Sequence, residues 1–429
     1  MKVAILTMFA GLSTTYSLVN VVADQIKMLL EAQVELKILV SETCPDEERW
    51  GVFLDPRLEW VKITNTRGGT PIVWHDYSAP TGAVHETFYE EAEWIAKDYV
   101  RYLRDVDVCI MHDILYQGWH LVHNVAVRQA QKSLPKVRIR AFTHSIPVNR
   151  PQKMEWPFSA RFTPMPNTRF VYPTYSGIDA LARQYDVPQG NCAVVYNSLP
   201  LLEMLSQDVQ QVAERIDLLN ADILVVYPGR LTTGKRFEKV AALAGAIQRK
   251  TEQRTKVIFC DFPSADIPGQ IYKRTIQTEG MKFGLEKGDL LFTSDLGYEQ
   301  GFPRRGVFEL FGLSNLFICP SYSESFGLTV LEAASRGNFL VLNEAVPALK
   351  ELGDSLGAYF LRWDGRNFGY DTHEKYVPSE QAYYEEHGGV IVNLMREDHS
   401  LRAKTRVRTK YHGAWICRNQ LMPLLTGTV

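Results

Sequence analysis

Apolar residues along this chain gather in short runs bounded by turn residues, and between those runs they recur every three to four positions. The first run, Val3-Ala-Ile-Leu-Thr-Met-Phe9, is apolar on both faces and directly precedes an amphipathic stretch, so it predicts a buried strand. Leu18 to Ala32 then carries the helical period. Strand-like runs follow at 34–40, 58–63, 106–111, 137–142, 169–173 and 192–196, with another helical stretch from Ser176 to Tyr185. A second series spans 223–228, 256–261, 289–293, 315–319, 338–342 and 357–361. Strands alternating with helices predict parallel sheets covered on both faces, an α/β fold. Ser198 to Ala221 contains no strand-like run and reads as a connector with a helix. It divides the chain into a first domain over 1–198 and a second over 199–400. In open parallel sheets ligands sit beyond the carboxyl ends of the strands, so the loops there hold the candidate chemistry.

Composition narrows the function classes. With Lys+Arg 47 against Asp+Glu 49 the net charge is −2, so no global basic field favours nucleic acid. Cys44, Cys109, Cys192, Cys260, Cys319 and Cys417 are scattered without a CxxC pair, and several lie in apolar runs. Buried free thiols in a reducing compartment are expected, with no metal site and no disulfide framework. Lys2 followed by Val3 to Ala10 resembles the opening of a signal peptide, but the strand and helix that follow favour a folded first strand. No apolar run approaches the ~20 residues of a membrane span, so a soluble, cytoplasmic protein is expected.

The most informative stretch is Ser321-Tyr-Ser-Glu324-Ser-Phe-Gly-Leu-Thr-Val-Leu-Glu332, which follows the buried run Leu316-Phe-Ile-Cys319 and Pro320. Helical spacing from Leu328 onward and the stop at Gly337 place Glu324 in a strand-to-helix loop and Glu332 inside the helix. The free backbone N–H groups around Phe326 to Thr329, including those of Gly327 and Leu328, favour an anion between the two carboxylates. Carboxylates accept hydrogen bonds from sugar hydroxyls, and a nucleotide sugar has a sugar on either side of a diphosphate. The bland alternative is a pair of solvated surface charges.

Glu324-Ser-Phe-Gly-Leu-Thr-Val-Leu-Glu332 resembles the E-x7-E element of retaining glycosyltransferases of the GT-B fold, the large family 4 group (glycosyl transferases group 1). Ser325 replaces the usual Pro. The resemblance implies two Rossmann-like, doubly wound domains facing a cleft, an acceptor-binding first domain and a donor-binding second one. It also implies that a last helix, about 400–420, packs back on the first domain. Glu332 would hold ribose and Glu324 the transferred sugar. The second domain opens with Gly229-Arg230-Leu-Thr-Thr-Gly234-Lys235-Arg236, which nearly spells a P-loop. Arg236 stands where a P-loop needs Ser or Thr for Mg²⁺. The family's Gly-Arg…Lys element is the better match, with Arg230 and Lys235 on the donor diphosphate and no obligatory metal or cofactor.

Other loops follow the same resemblance. Gly11, in Ala10-Gly11-Leu-Ser-Thr-Thr-Tyr-Ser17, is a candidate for close approach of a donor phosphate, or simply a turn glycine. His112-Asp113 and His144-Ser145 each follow a strand. His144 stands where the family carries a histidine near the anomeric carbon; His112 reads equally as structural. Asn197 is expected to shape a turn. Loops in 257–310 would read the nucleobase, and Trp363 to Gly389 departs from the family pattern as an insertion. Arg402, Lys404, Arg406, Arg408 and Lys410 form a solvated helix face, or a patch for an anionic acceptor or membrane surface.

The resulting expectation is a glycosyltransferase that moves a sugar from a nucleoside diphosphate sugar to an acceptor hydroxyl with retained configuration. The acceptor, whether glycan, lipid-linked, protein or nucleic acid base, is not legible. Other classes left open are an epimerase-like GT-B enzyme, a P-loop-like NTPase and a non-catalytic sugar-nucleotide sensor.

Overall fold

A computed structural model describes residues 1–72, 75–367, 370–372 and 380–428. The chain forms two compact units, Met1–Leu199 with Gly413–Val429, and Pro200–His412.

The first unit is built on a seven-stranded sheet. Its strands are β1 (Lys2–Leu6), β2 (Glu35–Ser41), β3 (Leu58–Ile63), β4 (Val108–His112), β5 (Arg138–Phe142), β6 (Thr168–Tyr172) and β7 (Cys192–Val194). They pair in parallel in the order β3-β2-β1-β4-β5-β6-β7. Side chains alternate between the two faces, which explains why these strands are apolar throughout. Val3 and Ile5 enter one core, against the Ser17–Glu31 helix, while Ala4 and Leu6 enter the other, against the Phe88–Leu103 and Leu121–Gln131 helices. The chain's end completes the first of these cores with Ile416, Leu421, Leu424 and Leu425.

The second unit repeats the plan with a six-stranded sheet. Its strands are β8 (Ile223–Arg230), β9 (Thr255–Phe262), β10 (Leu290–Phe292), β11 (Leu316–Cys319), β12 (Phe339–Asn343) and β13 (Tyr359–Leu361). The order is β10-β9-β8-β11-β12-β13, again all parallel. The helices Phe237–Thr251 and Gly269–Phe283 approach closely because both offer glycine at the contact. A Cβ added at Gly245 would lie 2.8 Å from the Gly280 carbonyl oxygen and 3.0 Å from the Phe283 carbonyl carbon.

Every strand predicted from the apolar runs is present, with ends shifted by a few residues. The expected return helix needs correction. The return helix about 400–420 is divided: His399–Lys410 belongs to the second unit, and the segment that packs in the first begins at Gly413. Of Trp363 to Gly389, read as an insertion, residues 368–369 and 373–379 lie outside the described residues, while Trp363 and Tyr384 join the core of the second unit. Trp363 is buried and donates its indole N–H to the Tyr384 hydroxyl at 2.8 Å. The Glu380–Glu397 helix that carries Tyr384 packs on the Phe237–Thr251 helix, with Gly388 close against Ile247.

The basic run near the end is only partly a surface feature. Arg408 is buried and donates to the Leu218 carbonyl at 2.8 Å and the Ala221 carbonyl at 2.5 Å. Lys404 donates to the Phe311 and Arg336 carbonyls at 3.0 and 2.7 Å. Both side chains tie connector and helix-end carbonyls inside the second unit and are not available to an anionic surface. Among the described residues no helix is long and apolar enough to cross a membrane.

Candidate functional site

In each sheet the strand order reverses beside the unit's first strand, between β1 and β4 and again between β8 and β11. Such a reversal leaves a crevice at the carboxyl ends, because the flanking connections depart to opposite faces. The candidate residues fall at these two reversals, one group in each unit.

In the second unit β8 delivers Arg230, which is exposed. A short 3₁₀ turn, Thr233–Lys235, follows, and Arg236 takes a left-handed conformation (φ 55°) before the Phe237–Thr251 helix. This differs from a P-loop, where Lys and Ser/Thr open the helix itself. The loop after β11 meets this turn: the Tyr322 N–H donates to the Gly234 carbonyl at 2.8 Å, and the Tyr227 hydroxyl donates to the Lys235 carbonyl at 2.8 Å. Lys235 and Glu324 are thereby brought together, and the ammonium forms an ion pair with the carboxylate. Arg236 lies over the Tyr322 ring, 5.3 Å from its centroid.

The Leu328–Ser335 helix begins where the sequence placed it. Gly327 caps it at φ 90°, a conformation that costs a non-glycine residue strain, and no side chain caps the helix N-terminus. Phe326 and Leu328 are exposed beside these amide groups. Glu332 lies farther along the helix, mostly buried, and accepts from the exposed Arg304 at 3.0 Å.

Two buried polar residues that the sequence reading did not single out as site residues secure loops at the carboxyl ends of this sheet, Asn343 the loop after β11 and Asp261 the segment after β10. Asn343, at the end of β12, donates to the Ser321 and Asp364 carbonyls, each at 3.1 Å, and accepts from the Ala345 and Trp363 N–H groups. Asp261, in β9, accepts from the Ser294 N–H and hydroxyl and lies 3.6 Å from the Lys273 ammonium. Their signal was a polar residue at the carboxyl end of a buried apolar run.

In the first unit the loops after β1, β4 and β5 enclose a cavity of about 620 Å³. Met8 and Asp113, just beyond β1 and β4, are both left-handed (φ 57° and 58°), conformations that cost non-glycine residues about a kcal/mol or more. The left-handed turn carries Asp113 to His144, whose backbone N–H it accepts at 2.9 Å. His112 Nδ1 and His144 Nε2 are 2.9 Å apart, with the rings stacked at 21°. The remaining ring nitrogen of His112, Nε2, is buried without a hydrogen-bond partner. A buried lone pair costs less to leave unmet than a buried N–H, so His112 carries its proton on Nδ1 and donates to His144. His144 then bears its own proton on Nδ1.

Burial, and secondarily His144, holds His112 well below the ordinary histidine range. Burial also lowers His144, against the opposing pull of Asp113. Burial raises the Asp113 carboxyl, and the His144 N–H opposes the rise. Both imidazoles are therefore neutral hydrogen-bonding groups near pH 7.

The expected approach of a donor phosphate to Gly11 is disfavoured. A Cβ there would lie 2.9 Å from Glu48 Oε2, the oxygen that also accepts the Leu12 N–H at 2.9 Å. A carboxylate flanks the glycine, and a phosphate would meet like charge. Gly11 is better explained by the close approach of Glu48.

Residues 210–354 match the family model for glycosyl transferases group 1. No curated protein sequence matches the chain. Similar solved structures, each covering 100% of this chain and of its own, include a glycosyltransferase from Rickettsia africae ESF-5 at 13% identity and TM-score 0.36. They also include the lipopolysaccharide outer core galactosyltransferase WaaB at 12% and 0.37, and Anabaena Alr3699/HepE with UDP and glucose at 13% and 0.35. Likenesses this distant assign no chemistry to this chain. The family match covers the β8 turn, the β11 loop and the Glu332 helix together, so this part of the second unit is similar to the glycosyl transferases group 1 model.

Proposed function

We propose that the protein transfers a sugar from a nucleoside diphosphate sugar to an acceptor hydroxyl, retaining the anomeric configuration and needing no metal. One observation carries this reading: Arg230, Lys235, Glu324 and the Leu328–Ser335 N-terminus converge at the reversal of the second sheet. Two cations and a helix N-terminus suit two phosphates, and the flanking carboxylates suit the sugars on either side.

In this reading Arg230 and Lys235 hold the diphosphate, and the Gly327 and Leu328 N–H groups bond its oxygens. Glu332 bonds the ribose hydroxyls and Glu324 those of the transferred sugar. His144 orients that sugar at its reacting carbon. As the glycosidic bond breaks, negative charge builds on the leaving diphosphate, and the two cations offset it without a metal. No carboxylate is assigned as a covalent nucleophile, so the acceptor hydroxyl attacks from the face the diphosphate leaves and gives its proton to the departing phosphate oxygen as the new C–O bond forms. Six free cysteines fit a reducing compartment, the cytoplasm.

The test is incubation with UDP-, GDP- and ADP-sugars in EDTA over a panel of hydroxyl acceptors, with NMR of the product's anomeric proton. A product with the donor's configuration is expected. An inverted product, or strict Mg²⁺ dependence, contradicts the proposal.

A further inference from the structure

Apart from His144, the residues that line the cavity of the first unit have a chemistry that the donor reading does not use. The geometry points to an uncharged glycosyl ring as its occupant, held by hydroxyl hydrogen bonds and aromatic stacking, with sugar phosphates and other anionic acceptors excluded. The inference rests on the glycosyltransferase reading and adds the class of acceptor.

The first argument is charge. The cavity, about 620 Å³, lies within the ~300–1,000 Å³ range of small-molecule sites. No Lys or Arg is among the described residues that line it. Its basic groups are His112, His120 and His144, each kept neutral near pH 7 by burial. Its acidic group is Asp113, and a second carboxylate, Glu48, stands against Gly11 at the lining. A phosphate here would lose its hydration, find no cation and meet two carboxylates.

The second argument is the polar groups that are present. Asp113 accepts, His144 offers an N–H from Nδ1, and Gln117 and Ser145, hydrogen-bonded to one another, can each both donate and accept. Such mixed, neutral donors and acceptors match ring hydroxyls, which themselves donate and accept.

The third argument is apolar. Trp119 and Tyr16 line the cavity yet keep 45% and 52% of their surface exposed, although large aromatic rings are normally well covered. Phe9 backs Tyr16 edge-on, with ring centroids 6.3 Å apart. Exposed aromatic faces beside convergent polar groups suit the C–H face of a sugar ring, whereas an extended phosphate ester gains nothing from them.

Methyl glycosides of glucose, galactose, mannose and N-acetylglucosamine, each paired with its 6-phosphate, test the inference by saturation-transfer NMR and as acceptors with the active donor. At least one neutral glycoside should bind and accept, and its 6-phosphate should bind about tenfold more weakly or less. Trp119→Ala should weaken the neutral glycoside by about 2- to 10-fold while leaving nucleoside diphosphate affinity intact. Gln117→Lys should shift preference toward the 6-phosphate. Equal or tighter binding of the phosphates by the natural chain overturns the inference, as does a panel in which no neutral glycoside shows Trp119-dependent binding. Nucleoside diphosphate affinity, measured alongside, separates either result from failure of the donor reading.

Discussion

The ion pair between Lys235 and Glu324 leads to an unusual expectation: removing a carboxylate from the donor site should strengthen nucleotide binding. Lys235 can reach a diphosphate only by giving up Glu324, so the strength of the pair is subtracted from the binding energy. The side chains are 33% and 14% exposed, which places the pair nearer to a surface ion pair than a buried one. Pairs of that kind contribute about 0.2–1 kcal/mol, so Glu324→Gln should raise nucleoside diphosphate affinity by roughly 1.4- to 5-fold. The loops should stay in place, because the Tyr322–Gly234 and Tyr227–Lys235 backbone contacts do not depend on the carboxylate. Lys235→Ala should act oppositely, losing about 1.5–3 kcal/mol, or roughly 10- to 150-fold. Calorimetric titration of both single variants and the double variant gives the coupling, which should shrink as salt is added. Turnover of the Glu324→Gln variant should fall, since the charged acceptor for hydroxyls of the transferred sugar is lost. Nucleotide affinity more than tenfold weaker in Glu324→Gln would refute the reasoning, because the carboxylate would then be a support of the anion site and not its competitor.

Other expectations follow from the same geometry. Glu332→Gln should weaken free nucleoside diphosphate and donor by similar factors, about tenfold, in parallel titrations; a loss confined to the donor would move Glu332 to the transferred sugar. His112→Asn, whose amide can still donate to His144, should retain more turnover than His112→Phe at equal nucleotide affinity, and equal rates would make His112 merely structural. The first unit should lose stability as pH falls below about 6.5, because His112, His120 and His123 are held neutral by burial while the unfolded chain takes up their protons first. Asp113 works in the opposite sense above about 3.9, so a pH-independent unfolding transition between 6.5 and 4 would contradict the burial of these groups. Gly245→Ala should destabilise the second unit by about 1–3 kcal/mol in thermal unfolding, since the new methyl meets the backbone of the facing helix.

The fold was legible because its strands are buried on both faces and therefore stand out as apolar runs, as in Ile223–Tyr227 and Leu316–Cys319. The positions of Glu324, Gly327 and Glu332 were legible because a strand end followed by a helix start fixes where they must lie. What the sequence concealed were contacts between distant loops. Nothing near Gly11 announces that Glu48, more than thirty residues away, approaches it. Likewise His112 and His144 are each unremarkable alone, and become a pair only because β4 and β5 are adjacent. The alternation of basic residues between 402 and 410 suggested a surface, yet Arg408 turns inward to carbonyls from the connector after residue 215. Short-range pattern specifies elements, whereas pairing across a sheet decides which polar groups meet.

The most direct test of the central claim is titration of UDP, GDP and ADP against the purified protein in EDTA, repeated with Arg230→Ala. One of the three nucleotides should bind the natural chain without metal, and Arg230→Ala should weaken it by roughly 10- to 150-fold, the value of a charge-assisted phosphate contact. Absence of binding by all three, or the same affinity in the variant, would contradict the assignment of a nucleoside diphosphate site to the second unit.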